Sequence, residues 1–169
     1  MSASGGHEPL YVSVIGGSDA DQPTMAAAQE VGRLLAEHGA VVVTGGRSGV
    51  AEAASKGAVL AGGVAVGILP GPDRAEANPW VSVAVCTGMG ETRNALVVMN
   101  GDAVIALDGG FGTLSEIGHA LVAGRTVVGL GAWELRRGGT AEGSIVRAAS
   151  PAAAVEAALG AAFRRRRGG

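Results

Sequence analysis

Several residue types are scarce in this chain of 169 residues, and each scarcity excludes a class of protein. One cysteine, Cys86, allows no intramolecular disulfide, which favours a cytoplasmic location. No run reaches the ~18 apolar residues of a membrane-spanning helix, so we predict no membrane partner. Charged residues make up 17% of the chain and hydrophobic residues 47%, a balance that excludes an intrinsically disordered protein.

The basic side chains are almost all arginine, because 13 basic residues include only one lysine, Lys56. Together with 15 acidic residues they give a formal net charge of −2, which provides no strong field for binding nucleic acid. Four consecutive arginines lie near the C-terminus, at 164–167. We predict a solvated basic tail over 164–169, with a contact to nucleic acid or a partner protein as the alternative.

Glycine is abundant, and its distribution is informative. The 30 glycines follow no three-residue period, which excludes a collagen-like chain. Short apolar runs, such as the strand predicted over 81–86, alternate with helical patterns, such as the helix predicted over 113–123. This alternation predicts an α/β fold with an open, doubly wound parallel sheet of the Rossmann type and helices on both faces. We assign residues 10–163 to this single domain and residues 1–9 to a flexible N-terminal tail.

Three glycine pairs come directly after predicted strands, at Gly16-Gly17, Gly45-Gly46 and Gly109-Gly110. The carboxyl ends of parallel strands meet at one edge of an open sheet, where such folds bind ligands. Glycine lets backbone N–H groups approach an anion closely, and the N-terminus of the next helix adds its positive dipole. The pattern therefore predicts a phosphate-binding pocket at this edge. Gly62-Gly63 lies between a helix and a strand and is predicted only to end the helix.

The stretch from Gly109 to Glu116 reads Gly-Gly-Phe-Gly-Thr-Leu-Ser-Glu and is the most specific motif. It is neither a P-loop nor the dinucleotide fingerprint. Thr113 is predicted to cap the following helix, to bind the phosphate, or both. Glu116 lies one turn into the helix, near the ribose of a bound nucleotide, or else it complements the helix dipole.

Arg93 lies in the first turn of a second helix on the same edge, predicted over 92–99, and is predicted to pair with phosphate or with Glu116, with a solvent-facing position as the alternative. The predicted phosphate-binding residues are Gly109, Gly110, Gly112, Thr113, Gly45, Gly46 and Arg93. The predicted pocket also includes Gly16, Gly17, Ser18, Met89 and Asp108.

Four ordered motifs over residues 10–130 resemble the LOG proteins, often misnamed lysine decarboxylases. They are Ile15-Gly16-Gly17-Ser18, Thr44-Gly45-Gly46-x-x-Gly49-Val50, Gly88-Met89-Gly90-x-x-Arg93-Asn94 and the stretch 109–116. The branch most similar in these motifs is the one that includes the molybdenum cofactor carrier proteins. Its characteristic stretches resemble residues 68–71, 77–79 and 87–94.

This resemblance implies one pocket with two alternative functions. In the first, the protein binds the phosphate of a purine nucleoside monophosphate or of the molybdenum cofactor, which would be cargo, so that no resident cofactor is required. In the second, it is a phosphoribohydrolase that cleaves the N-glycosidic bond of a nucleoside 5′-monophosphate, with Glu116 as the catalytic glutamate and Arg93 near the catalytic arginine. Asp108 in place of the usual proline, and a Gly90-Glu91-Thr92-Arg93 stretch without the usual His and Lys, favour the first.

Individual residues bear on three further possibilities: pyridoxal phosphate catalysis, metal binding and stacking on a ligand ring. A pyridoxal phosphate enzyme needs a lysine at its site, but Lys56 lies inside a helix away from the ligand edge, so we reject the decarboxylase reading. His119 shares a helix face with Glu116 without further ligands, and we predict no metal site. Trp80 either stacks on a pterin or purine or fills a loop. The resemblance also implies a homodimer or homotetramer.

Overall fold

Parallel strands form the centre of the structure, a computed structural model that describes residues 8–141 and 144–168. Residues 1–7 of the predicted N-terminal tail lie outside this part. The strands are β1 Tyr11–Gly16, β2 Val41–Thr44, β3 Ala65–Leu69, β4 Val83–Cys86, β5 Ala103–Leu107, β6 Thr126–Leu130, β7 Arg136–Arg137, β8 Thr140–Ala141 and β9 Ile145–Arg147. Seven of them build one parallel sheet in the order β4-β3-β2-β1-β5-β6-β9, and β7 and β8 form a separate antiparallel pair.

Helices cover both faces of the sheet. They are α1 Gln22–Glu37, α2 Val50–Leu60, α3 Asn94–Met99, α4 Phe111–Val122 and α5 Pro151–Arg167. Residues of α1, α2 and α5 share one buried apolar cluster, and residues of α3 and α4 share a second. Side chains of β5 enter both clusters, and every residue of this strand is buried. The predicted doubly wound α/β fold is therefore confirmed.

The strand order reverses at the centre of the sheet. The chain moves outward from β1 through β2 and β3 to β4, and then returns to place β5 on the other side of β1. Residues Val12 to Gly16 of β1 pair in register with Ala103 to Leu107 of β5. The crevice outside the carboxyl ends of β1 and β5 is thus a topological switch point, the usual ligand position in such sheets.

Small residues allow α1 and α2 to pack at close range. A Cβ atom on Gly32 would lie 2.0 Å from the carbonyl oxygen of Ala54, and one on Gly57 would lie 1.9 Å from that of Gln29. Neither position has room for a side chain, so the backbones of the two helices are in direct contact. The small-residue composition of α2 is explained by this packing.

Some element boundaries differ from the sequence-based expectations. α4 begins at Phe111, two residues before the predicted start, because Gly110 occupies the N-cap position. Thr113 is therefore inside the first turn and does not cap the helix. The second predicted helix, 92–99, begins as a 3₁₀ turn at Gly90–Arg93 and becomes α-helical only at Asn94.

The strand predicted over 81–86 is shorter and less buried than expected. β4 covers Val83–Cys86 and lies at the edge of the sheet, where Val83 and Val85 are 50% and 41% exposed. Burial on both faces, inferred from its apolar sequence, does not extend to this edge strand.

The predicted basic tail is the last turn of α5, which continues four residues beyond Phe163 to Arg167. Positive charges near a helix C-terminus complement its dipole, which favours this extension. Arg166 also forms a salt bridge of 2.8 Å to Asp102, and the same Asp102 oxygen accepts the amide N–H of Tyr11 at 2.9 Å. These contacts attach the end of α5 to the amino edge of the sheet.

We expect Arg166→Gln to lower the free energy of unfolding by about 1 kcal/mol, because the mostly buried Asp102 carboxylate then loses its cationic partner. Arg164→Gln removes the same charge from an exposed position of the same helical turn and should have almost no effect. Urea unfolding of both variants measures the difference, and equal stabilities would show that the salt bridge does not anchor α5.

Candidate functional site

A cleft of about 440 Å³ lies at the carboxyl edge of the sheet, outside β1, β2 and β5. This volume is within the range of small-molecule sites, ~300–1,000 Å³. The turns that follow the three strands supply most of its wall, and the segment before α3 closes one side. The lining residues are Val14, Ile15, Gly16, Gly17, Ser18, Asp19, Gly45, Arg47, Ser48, Ala51, Glu91, Arg93, Asn94, Gly110, Gly112, Thr113 and Glu116.

The turn after β1 lies between the starts of α2 and α4. A Cβ on Gly49, just before α2, would lie 2.2 Å from the carbonyl oxygen of Gly17, and the amide of Val50 donates to that oxygen at 3.1 Å. On the other side, a Cβ on Gly17 would lie 3.6 Å from the Cα of Gly109. Glycine is required at position 49, where a side chain has no room and φ is 70°, whereas a Cβ on Gly17 would make an ordinary van der Waals contact.

The glycines of the predicted site have two different functions. Gly46 and Gly109 have positive φ angles of 73° and 106°, a conformation that strains other residues. A Cβ on Gly109 would also lie 2.2 Å from the hydroxyl oxygen of Thr113. In contrast, a Cβ on Gly110 or Gly112 would meet no atom within 4 Å. These two glycines line open space in the cleft, so neither close packing nor a positive φ angle requires glycine there.

Trp133 supports the loop that precedes α4. Its indole N–H donates to the carbonyl oxygen of Gly109 at 3.0 Å, and its ring lies 6.0 Å from the ring of Phe111. The indole thereby fixes the backbone next to Gly110 and Gly112. Trp133 was not predicted as a site residue, because it begins a polar stretch without a helix or strand pattern, and an isolated aromatic was the only available signal.

Arg93 is the most buried charged residue of the cleft wall, with an exposed fraction of 7%. Its guanidinium donates to the side-chain oxygen of Asn94 and, at 3.5 Å, to the carbonyl oxygen of Gly45. Its Nε has no hydrogen-bond partner, and among the described residues no carboxylate forms a salt bridge with it. A buried cation without a counterion favours the binding of an anion in this cleft.

Glu116 is buried beside this cation, with an exposed fraction of 8%, and makes no hydrogen bond or salt bridge to any described residue. Burial raises the pKa of Glu116 to about 8; the charge of Arg93 lowers it and that of Glu91 raises it. At neutral pH the carboxyl group is therefore mostly protonated. A protonated carboxyl can donate a hydrogen bond to an anionic ligand instead of repelling it.

The structure brings most of the predicted site residues together. Nine of them line the cleft: Gly16, Gly17, Ser18, Gly45, Arg93, Gly110, Gly112, Thr113 and Glu116. Gly46 and Gly109 do not line the cleft, but their positive φ angles and close contacts determine the shape of the turns that do. Met89 and Asp108 are outside the lining. Met89 is 47% exposed, and Asp108 is exposed and has a left-handed conformation with φ of 50°.

Five charged or polar lining residues were not among the predicted site residues, namely Asp19, Arg47, Ser48, Glu91 and Asn94. Asn94 links the two sides of the cleft, since its side-chain amide donates to the hydroxyl of Ser115 at 3.4 Å and that hydroxyl donates to the carbonyl oxygen of Gly112 at 2.8 Å. The signal for Asn94 was present in the Arg93-Asn94 motif. Arg47 and Ser48 occupy the two unspecified positions of the motif Thr44-Gly45-Gly46-x-x-Gly49-Val50, so this second motif contained the signal for them.

Residues with uncertain sequence assignments lie away from the cleft. The ammonium group of Lys56 lies 5.7 Å from the centre of the Trp80 ring, so Trp80 contacts this lysine and neither residue lines the cleft. Within the described ranges, no group of three His, Cys, Asp or Glu side chains has an arrangement able to hold a metal ion. None of the described helices is long and apolar enough to cross a membrane.

The chain belongs to the SLOG cluster4 family, whose model matches residues 9–155. This match confirms the LOG-like family inferred from the motifs. An uncharacterized protein of Archaeoglobus fulgidus is 41% identical over 121 residues, which cover 72% of this chain and 80% of that protein.

Solved structures of molybdenum cofactor proteins have the same fold. The molybdenum cofactor binding protein of the phototrophic bacterium Rippkaea orientalis matches with a TM-score of 0.82 and 31% identity, over 92% of this chain and 98% of that chain. The Moco carrier protein of Chlamydomonas reinhardtii matches with a TM-score of 0.80 and 31% identity, over 93% and 99%. The resemblance to the carrier branch is thereby confirmed.

The raised pKa of Glu116 predicts a pH dependence of stability. The pKa is about 8 in the folded state and near its ordinary value of 4.5 in the unfolded state, so between these values the folded protein binds the additional proton. The free energy of unfolding should therefore fall as pH rises from 4.5 to 8, by at most ~1.4 kcal/mol per pH unit. Glu116→Gln should remove this fall, measured by urea unfolding at intervals of pH. Parallel curves for both proteins would contradict the assignment.

Proposed function

We propose that this protein binds the phosphate group of a nucleotide-like ligand in the cleft, and that the ligand is the molybdenum cofactor, held as cargo. The observation that carries the proposal is the buried guanidinium of Arg93, which has no counterion among the described residues and lines the cleft. The two carrier-type neighbours, each 31% identical over nearly the whole chain, support the choice of ligand.

The phosphate is bound at the start of α4. Gly110 is the N-cap and makes no side-chain hydrogen bond to the helix, so the first-turn amides are available to an anion. The open space above Gly110 and Gly112 lets phosphate oxygens approach these amides. Arg93 supplies the compensating charge, and protonated Glu116 supplies a further donor.

The remaining part of the cleft fits a ring system with polar edges. Its walls come from the turns after β1 and β2, where Gly16, Gly17 and Gly45 present backbone groups rather than side chains. A ligand held this way is recognised by hydrogen bonds to its edges and by its phosphate. The protein binds and shields the ligand in this function, and no bond of the ligand is broken.

Gly112→Ala should weaken binding of the molybdenum cofactor by about tenfold, because the added methyl group occupies the space of a phosphate oxygen. Folding should be preserved, since that methyl group meets no protein atom within 4 Å. Binding is measured by gel filtration after mixing with the cofactor, followed by fluorescence of the oxidised pterin.

Gly118→Ala is the matched control, because Gly118 is in the same helix, is equally free of contacts, and does not line the cleft. It should bind as the unchanged protein does. Failure of the unchanged protein to retain the cofactor at micromolar concentration would overturn the choice of cargo. Equal binding by Gly112→Ala would overturn the assigned phosphate position.

A second function, hydrolysis of a nucleoside 5′-monophosphate, is favoured by Glu116. A carboxyl group with its pKa near 8, buried in a cleft, is suited to exchange a proton with a reacting group at neutral pH. It would assist the attack of water on the ribose carbon while the base leaves, and Arg93 would hold the phosphate.

Chromatography of free bases after incubation with a panel of purine nucleoside monophosphates tests this second function. Hydrolysis predicts a released base, and Glu116→Gln should abolish release and retain binding of the monophosphate. No released base from any member of the panel would exclude hydrolysis and leave the binding function as the one supported.

Self-association into a dimer or tetramer stays a prediction, supported by exposed apolar side chains. Val122 on α4 is 91% exposed and Met99 at the end of α3 is 53% exposed. Light scattering coupled to gel filtration determines the oligomeric state.

A further inference from the structure

We propose that the cleft contains a second oxyanion subsite at the start of α2, formed by Arg47, Ser48 and first-turn amides, so that its ligand carries two anionic groups. This inference deepens the proposed function and rests on it, since it assumes that the first anion lies at the start of α4. It defines the ligand class more narrowly than a single phosphate would.

Two helix starts face the cleft, and both lack a side-chain cap. α2 has 11 residues and α4 has 12, and their N-cap residues are Gly49 and Gly110, neither with a side-chain hydrogen bond to the helix. In contrast, α1 and α5 are capped by the side chains of Asp21 and Ser150. Ala51 in the first turn of α2 lines the cleft, as Gly112 does in that of α4. The Val50 amide of α2 donates to the carbonyl oxygen of Gly17, so the amides that α2 can present to the cavity are those of the next residues of its first turn.

The residues before α2 are held in place by a buried amide side chain. Asn78, 8% exposed, donates from its side chain to the carbonyl oxygen of Arg47 at 2.8 Å and from its backbone to that of Gly46 at 2.9 Å. Its side-chain oxygen accepts the amide of Trp80 at 3.0 Å. This support fixes the backbone of Arg47, whose side chain lines the cleft and makes no salt bridge to any described residue.

Arg93 lies between the two helix starts and is the independent sign of a ligand there. It contacts Gly45 in the loop that leads to α2, and its neighbour Asn94 contacts Ser115 in α4. Its Nε has no partner, and the residue is 7% exposed. A guanidinium in this position can hydrogen-bond to two anionic groups at once.

One tetrahedral anion cannot occupy both starts, because the backbone turn at Gly17 lies between them. This turn is packed against Gly49 on one side and Gly109 on the other. The carboxylates of Asp19 and Glu91 also line the cleft and, like Arg47, are exposed, so water weakens both their repulsion of an anion and the attraction of Arg47. The second anionic group is either a further phosphoryl group or an oxyanion centred on a metal such as molybdenum.

Titration calorimetry with inorganic phosphate, pyrophosphate and molybdate at constant ionic strength tests the subsite. The unchanged protein should bind pyrophosphate at least about tenfold more tightly than phosphate. Arg47→Gln should remove this preference and change phosphate affinity by less than about twofold. Arg74→Gln removes the same charge from an exposed residue outside the cleft and should retain the preference.

Molybdate binding tests whether the second anionic group of the ligand is a further phosphoryl group or a metal-centred oxyanion. Binding of molybdate in the presence of saturating phosphate, and its loss in Arg47→Gln, would support a metal-centred oxyanion. Displacement of molybdate by phosphate, together with the pyrophosphate preference, would support linked phosphoryl groups.

Different results would contradict the second subsite and the proposed function. Equal affinities for phosphate and pyrophosphate, or a preference that survives in Arg47→Gln, would overturn the second subsite and leave phosphate binding at α4 intact. Absence of binding by all three anions would contradict the proposed function as well. The variants are compared only where their thermal unfolding matches that of the unchanged protein.

Discussion

The cleft depends on a buried guanidinium that has no carboxylate partner within the described part of the chain. Removing a cation from water costs several kcal/mol even after the protein relaxes, and Arg93 recovers only part of this through Asn94 and the carbonyl of Gly45. Glu116, the nearest buried acid, is mostly protonated at neutral pH and therefore supplies little compensating negative charge. An anionic ligand would provide the missing charge.

The surrounding backbone makes this arrangement possible. Three turns after parallel strands pack with no side chains between them, as the contacts of Gly17 with Gly49 and Gly109 show. The sheet supports these turns from below through β1 and β5, which are almost completely buried. Rigid strands thus hold the amides in place before a ligand arrives, and little conformational entropy is lost on binding. The effects of substitutions on stability and on binding can be separated, because the fold requires glycine at position 109 while Gly112 faces open space.

The fold was predictable from the sequence, and so was the edge that carries the cleft, because continuous apolar strands followed by glycine pairs have few alternatives. The individual roles of the glycines were not predictable, since a glycine needed for positive φ and one needed for ligand access look identical in sequence. Trp133 was missed because its importance comes from a contact with a residue distant in the chain, Gly109. The end of α5 was misplaced because the arginine run looked like a solvated tail, whereas Arg166 pairs with Asp102, 64 positions earlier in the chain.

The most direct test of the account is nuclear magnetic resonance of the ¹⁵N-labelled protein during titration with inorganic phosphate. The central claim is that an anion binds between Arg93 and the start of α4. It predicts that the resonances of the Gly110 and Gly112 amides and of the Arg93 Nε–H group shift together, with one common affinity. If phosphate saturates the protein while these three resonances stay in place, or if the shifts map to a surface away from the cleft, the claim is contradicted.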